Sequence, residues 1–329
     1  MRQNHILLIN AAISIVLIAA ILYYVGIMEV LGAFASLDLF FLFISIVFLL
    51  LMYLGMITRI RILLEESGVK ASWTAIARSH WVGMLLADFT PARAGYFAAA
   101  ATLHHQHDVP SERALLSIWG PQIFDFALKL TAGTLAVYYI VIHFLNAEDS
   151  SILFLGTAAM TVFIAIMLLA LFSARFLRLF QFASRWPLVG SMVALVKRMQ
   201  QHAHVVVKKT PDILVILAYT WSMKAISWYF VAKSLGITIN VSPFPEVVFY
   251  YFFQPLITML EFVPSPTLAG IGLSEGGGTL VMALFGVSPA AAAAFVLLAR
   301  VKTTLVNLIA VPDSLNLLQR MDWRDMMKH

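Results

Sequence analysis

Asp88-Phe89-Thr90-Pro91-Ala92-Arg93-Ala94-Gly95 interrupts one hydrophobic run of this chain, and Pro264-Ser265-Pro266-Thr267-Leu268-Ala269-Gly270-Ile271-Gly272-Leu273-Ser274-Glu275-Gly276 interrupts another. Each break combines proline, small residues, glycine and charge, and each leads into a further apolar helix. In a bilayer an unpaired backbone amide or carbonyl costs several kcal/mol, so helix-breaking backbone at membrane depth persists only where protein or water covers it. Interrupted segments at corresponding positions of two halves point to a transporter binding site. Pro91 and Gly95 punctuate the first break, and Pro264, Pro266, Gly270 and Gly272 the second.

Composition sets the class. Of 329 residues, 61% are hydrophobic and 12% charged, with mean hydropathy +0.89, outside what a soluble globular domain carries. This composition is that of a polytopic membrane protein, and no soluble domain is expected outside the bilayer. The absence of cysteine excludes a disulfide scaffold and any Cys-based zinc or redox site. Net charge +5 does not argue for nucleic acid, because the basic residues flank apolar spans as cytoplasmic loops do.

Full-length spans are expected at about 6–25, 38–58, 114–142, 151–172, 212–234 and 289–311, each near the ~20 apolar residues needed to cross. The first is read as an uncleaved span, since no clean small-residue cleavage site follows it. Regions 81–103 and 246–286 are cut by the breaks into pieces too short to cross, and are expected as re-entrant hairpins. Arg2, Arg59, Arg61, Lys70, Arg78, the basic run from Arg175 to Lys209, and Arg320, Arg324 and Lys328 mark cytoplasmic segments. Glu29, Asp38, Glu148 and Asp149 mark outside loops. Both termini are then cytoplasmic, the first hairpin enters from the cytoplasm and the second from outside.

Val109-Pro110-Ser111-Glu112-Arg113-Ala114 and Val287-Ser288-Pro289-Ala290-Ala291-Ala292 each follow a hairpin and open a long helix. The expected fold is therefore an all-α integral membrane protein, an inverted repeat of six full transmembrane helices and two re-entrant helical hairpins. Residues 1–174 form its first membrane half and 212–329 its second, with a short cytoplasmic tail. A basic amphipathic cytoplasmic linker, 175–211, joins them.

Charge inside a bilayer is expensive, so Asp125, Lys129, Lys224, Glu261, Glu275, Arg300 and Lys302 need partners or water. Asp125 and Lys129 share a helical face with Gln122 at the favourable acid-before-base spacing, consistent either with a local ion pair or with a site. Arg300 and Lys302 point to roughly opposite sides of one helix, and Arg300 has the planar fork that suits a phosphate or carboxylate. Arg93 lies inside the first break, where turn amides can add to its charge. Glu275 either neutralises Arg300 or caps a helix N-terminus. The candidate headgroup contacts are thus Arg93, Lys129, Arg300 and Lys302, with Asp88, Asp125, Glu261, Ser274 and Glu275 as polar or counter-ion groups. His104, His105 and His107 lie in a short polar loop without convergent carboxylates, so no metal site and no cofactor are expected. No phosphate-binding loop, nucleophile elbow or zinc-protease helix is present, and the expectation is a protein that is not an enzyme.

Thr90-Pro91-Ala92-Arg93-Ala94-Gly95-Tyr96 is similar to the Pro-x-Arg-x-Gly-Glu hairpin of the transmembrane flippase-like domain of lysylphosphatidylglycerol synthases. Gly270-Ile271-Gly272-Leu273-Ser274-Glu275 resembles that family's Gly-x-Gly-x-x-Glu hairpin, and Gly286-Val287-Ser288 with the Ala-rich helix up to Arg300 fits as well. Where the family usually has glutamate after the first hairpin glycine, this chain has Tyr96, which leaves Asp88 as a substitute acid. The resemblance implies a stand-alone member without the aminoacyltransferase domain. It also implies translocation or handling of an anionic or zwitterionic phospholipid or a polyprenyl phosphate, in the plasma (inner) membrane. A lipid-binding accessory subunit for a glycosyltransferase or aminoacyltransferase is the rival expectation, and a membrane-embedded lipid phosphate enzyme a third.

Overall fold

The computed structural model describes residues 2–140, 187–262 and 267–320, with isolated positions between 162 and 175. The span expected at 151–172, the outside-loop acids Glu148 and Asp149, the start of the linker, Pro264 and Pro266, and the tail beyond 320 lie outside the described residues. Among the described residues every regular element is helical. These are α1 (Arg2–Val25), α2 (Ile27–Ala35), α3 (Leu39–Glu66), α4 (Trp73–Asp88), α5 (Ala98–His107), α6 (Ser111–Ile140), α7 (Pro187–Lys208), α8 (Thr210–Ser234), α9 (Val247–Phe262), α10 (Leu273–Leu284), α11 (Pro289–Asn307) and α12 (Val311–Arg320).

Among these, Leu39–Glu66, Ser111–Ile140, Thr210–Ser234 and Pro289–Leu317 are long and apolar enough to cross a membrane. A fifth span results if α1 and α2 count as one, bent by 84°. The bend falls at Gly26, whose φ of +95° suits glycine. The sequence pattern ends the first span at 25 and puts Glu29 in a loop, whereas Glu29 lies in the first turn of helix α2.

Helix α3 shows how such a span is built. It exposes Leu39, Phe43, Val47, Leu50 and Leu54 along one stripe and buries Leu49, Met52, Tyr53, Ile57, Ile60 and Leu64 along another. Both stripes are apolar because lipid and protein interior are equally dry. The helix runs to Glu66, past the boundary expected at 58, so Arg59 is not in a loop but inside α3 and 3% exposed. Helix α8 lies along α3, and Gly55 lets the two approach: a Cβ there would come within 2.6 Å of Thr220 Cγ2. Asp38 starts α3 by accepting from Phe40 N at 2.8 Å and Phe41 N at 3.3 Å. We expect Asp38→Ala to cost about 1 kcal/mol and lower the thermal midpoint in detergent by roughly 3 °C, with Asp38→Asn neutral.

The linker helix α7 does not leave its apolar face for lipid alone. Met199, Ala203, Val205 and Val206 pack with Leu63, Leu116 and Ile123, and Lys208 reaches Glu66 at 2.5 Å.

Both broken regions form pairs of short helices packed on each other, α4 with α5 and α9 with α10. Neither Val247–Glu261 nor Leu268–Leu284 has the length of a span. In α9, Pro255 cannot donate to the carbonyl four residues back. That carbonyl, on Tyr251, instead accepts the Trp221 indole N–H from α8 at 3.1 Å.

Candidate functional site

The two breaks touch. Between α4 and α5 the chain makes a 3-10 turn, Pro91–Phe97, with Pro91 at its first position. Thr90 holds that turn together: its hydroxyl donates to the Leu86 carbonyl at 3.0 Å and accepts from Gly95 N at 2.6 Å. Gly95 is required by space, since a Cβ would stand 2.2 Å from the Leu86 carbonyl oxygen. Between α9 and α10 a shorter 3-10 turn, Leu268–Gly270, has left-handed backbone at Ala269, Gly270 and, just beyond, Gly272. Three amides of this break find acceptors elsewhere in the protein. Leu268 N donates to Ser14 Oγ at 2.9 Å, Gly272 N to Glu275 Oε2 at 2.7 Å, and Ala269 N to the Thr90 carbonyl of the other break at 3.1 Å. The broken backbone thus finds partners in the opposite break and in α1.

This contact brings the charged residues into one network. Arg93, at φ +54°, sends Nη1 to Glu261 Oε2 at 3.0 Å and Nη2 to Asp88 Oδ1 at 3.3 Å. Glu261, at the end of α9, also lies 3.6 Å from Arg300 Nη2. Arg300 donates Nε to Glu275 Oε1 and Nη2 to Ser274 Oγ, the latter at 2.7 Å. The two roles considered for Glu275 coexist, since one oxygen receives the α10 N-terminal amide and the other the guanidinium. Asp88 is tied further to α11 through Asn307 Nδ2 at 2.8 Å and Thr304 Oγ1 at 3.3 Å, and Asn307 accepts from Tyr53 at 2.7 Å.

Beside the network lies a cavity of about 70 Å³, large enough to hold water. Asp88, Arg93, Lys224, Glu261, Glu275 and Arg300 line it, with Ser227, Ser274, Thr303 and Thr304. Trp228, Phe295 and Ile257 supply apolar wall. Three carboxylates, three cations and apolar wall together make a mixed-charge chamber whose guanidinium groups have the geometry to engage an oxyanion.

Two expected headgroup contacts stand elsewhere. Lys129 is paired with Asp125 at 2.6 Å, the local ion pair allowed by their spacing, and neither lines the cavity. Lys302, 4% exposed, donates to Ser227 Oγ at 2.7 Å and stands behind that residue rather than in the lining. His104, His105 and His107 lie in the last turn of α5 rather than in a loop, His104 engages the Val109 carbonyl at 2.9 Å, and among the described residues no group of three or more His, Asp or Glu is disposed to hold a metal.

Thr303, Thr304 and Asn307 were not anticipated, although they recur with Arg300 at i, i+3, i+4 and i+7, a helical face that sequence does display. Ser227 and Trp228 follow Lys224 in the same register. Tyr53 gave no signal, because only folding brings it to Asn307, 254 positions away.

The family model for the lysylphosphatidylglycerol synthase TM region matches residues 7–310. No curated protein matches the chain.

Proposed function

The chain belongs to the lysylphosphatidylglycerol synthase TM-region family, and on that premise we propose that it moves a phospholipid or polyprenyl-phosphate lipid between the leaflets of the plasma membrane. The observation that carries this reading is the meeting of the two breaks, Ala269 N on the Thr90 carbonyl at 3.1 Å, beside a cavity lined by Arg93 and Arg300. A headgroup crossing a bilayer needs a polar stop at depth, whereas acyl chains need none. The chamber supplies that stop, with guanidinium groups for a phosphate and carboxylates that keep the empty state neutral.

In this proposal the two helix–break–helix units and the long helices after them form an inverted repeat within six spans, with both termini in the cytoplasm. Alternating exposure of the chamber would come from rocking one unit against the other. With no nucleotide-binding motif present, the driving force is a lipid or ion gradient or the membrane potential, which is worth about 2.3 kcal/mol per charge per 100 mV. The protein is not read as an enzyme, and a lipid-modifying enzyme is a natural partner on either leaflet.

Reconstitution tests this directly. Proteoliposomes holding a fluorescent phospholipid, or a polyprenyl phosphate, should lose leaflet asymmetry far faster than protein-free vesicles when a membrane-impermeant reductant or enzyme reports the outer pool. Lipid that copurifies but never changes leaflet would instead favour the accessory-subunit reading.

A further inference from the structure

We propose that the headgroup taken by this cavity is net neutral, carrying a phosphate and an ammonium together as in phosphatidylethanolamine, and not a net anionic one. The inference rests on the transport reading above and narrows its substrate.

The lining carries three carboxylates, Asp88, Glu261 and Glu275, and three cations, Arg93, Arg300 and Lys224. They are unequally engaged. Arg93 is flanked by Asp88 and Glu261, and Arg300 by Glu275 and Glu261. Lys224 makes no close ion pair among the described residues, although Glu261 and Asp125 lie near enough to act on it electrostatically. Its Nζ makes one long contact to Thr258 Oγ1 at 3.4 Å and lies 5.3 Å from the centre of the Trp228 ring. An ammonium has three N–H donors, so most of the donor capacity of Lys224 is unspent beside a cavity it lines.

The acid side has a matching vacancy in capacity. Glu261 gives Oε2 to Arg93 at 3.0 Å, but its Oε1 stands 3.6 Å from Arg300, beyond a good hydrogen bond. A carboxylate accepts about four hydrogen bonds. One cavity therefore presents an under-used cation and an under-used acid. A phosphate on Lys224 and an ammonium on Glu261 satisfies both without displacing either arginine.

Charge balance points the same way. A net-neutral headgroup in a net-neutral chamber buries no uncompensated charge, whereas an anionic one adds a lone negative charge at low dielectric. Outside the lining, over which this sum is taken, Asp125 and Lys129 cancel at 2.6 Å, while Lys302 stands behind Ser227 as the nearest further charge.

The test is competition within one vesicle population. Purified protein is reconstituted with fluorescent phosphatidylethanolamine and fluorescent phosphatidylglycerol, and native mass spectrometry reads retained lipid from the same preparation. We expect the zwitterionic lipid to move and be retained at least about tenfold in preference. Lys224→Met makes the chamber one charge more negative and should weaken both lipids, the anionic one more. Glu261→Gln makes it one charge more positive and should shift preference toward phosphatidylglycerol. Equal or faster movement of phosphatidylglycerol by the wild type overturns the proposal while the transport reading stands, because Lys302 would then count in the balance. Both variants shifting preference in the same direction overturns it too. If neither lipid moves nor binds, the phospholipid form of the transport reading falls and takes this proposal with it. Should a variant fail to fold, the wild-type competition alone decides.

Discussion

Arg300→Ala is expected to abolish lipid movement and to lower the thermal midpoint in detergent by roughly 10 °C or more. Arg300 is the only described group placed on Glu275 Oε1, and it also holds Ser274 Oγ at 2.7 Å. Glu275 is 2% exposed, so alanine strands a carboxylate away from water. Removing one partner of a buried pair costs about 3–5 kcal/mol, a large share of a typical ~5–15 kcal/mol stability. Two further variants separate stability from transport. Arg300→Ala combined with Glu275→Gln removes the stranded charge, and should recover much of the midpoint while leaving lipid movement absent. Arg300→Lys keeps the charge without the fork and should fall between wild type and alanine in both readouts. Wild-type rates in the alanine variant would remove Arg300 from the headgroup path.

The membrane class and the two breaks were legible because they depend on local rules. Length and hydropathy mark a span, and proline with glycine marks where a helix cannot continue. Arg93, Glu275 and Arg300 were legible for a related reason: charge in an apolar run is costly enough that each had to be explained. That the breaks would meet was part of reading them as paired hairpins, but the bonds that join them, such as Ala269 to Thr90, were not legible, because no periodicity encodes single hydrogen bonds. Lys129 and Lys302 show the limit from the other side. Sequence gives the charge and the helical face, but whether that face meets a cavity, an acid four residues away or a serine on another helix is decided by packing. The overrun of α3 past residue 58 has the same origin. Ile57, Ile60, Leu63 and Leu64 continue the buried stripe, so the helix continues, and Arg59 is carried into the protein with Nε and Nη2 unpartnered.

Gly270→Ala is expected to damage the site almost as severely as the loss of Arg300, through the backbone and with no change of charge. Gly270 sits at φ +71°, where a Cβ is strained whatever surrounds it, at a cost of about 1–3 kcal/mol. The space is also absent. A Cβ would lie 2.7 Å from Glu261 Cα and 3.0 Å from the Leu260 carbonyl oxygen, both backbone atoms that cannot rotate aside. Relief requires the break and the end of α9 to separate. Glu261 would move with α9, and Glu261 is the one carboxylate among the described residues shared by Arg93 and Arg300. Transport should therefore fall at least about tenfold, the effect expected of a displacement near 1 Å in a positioned site, while the chain keeps its charge and hydropathy. Gly276→Ala is the control: it lies in the following helix, and the nearest atom to its Cβ is Ile21 Cδ1 at 3.7 Å, an ordinary contact. Gly276→Ala should transport like wild type and match or exceed it in midpoint, since alanine favours the helix. Equal transport by the two alanine variants would mean that the geometry of the second break does not govern how the arginines are held.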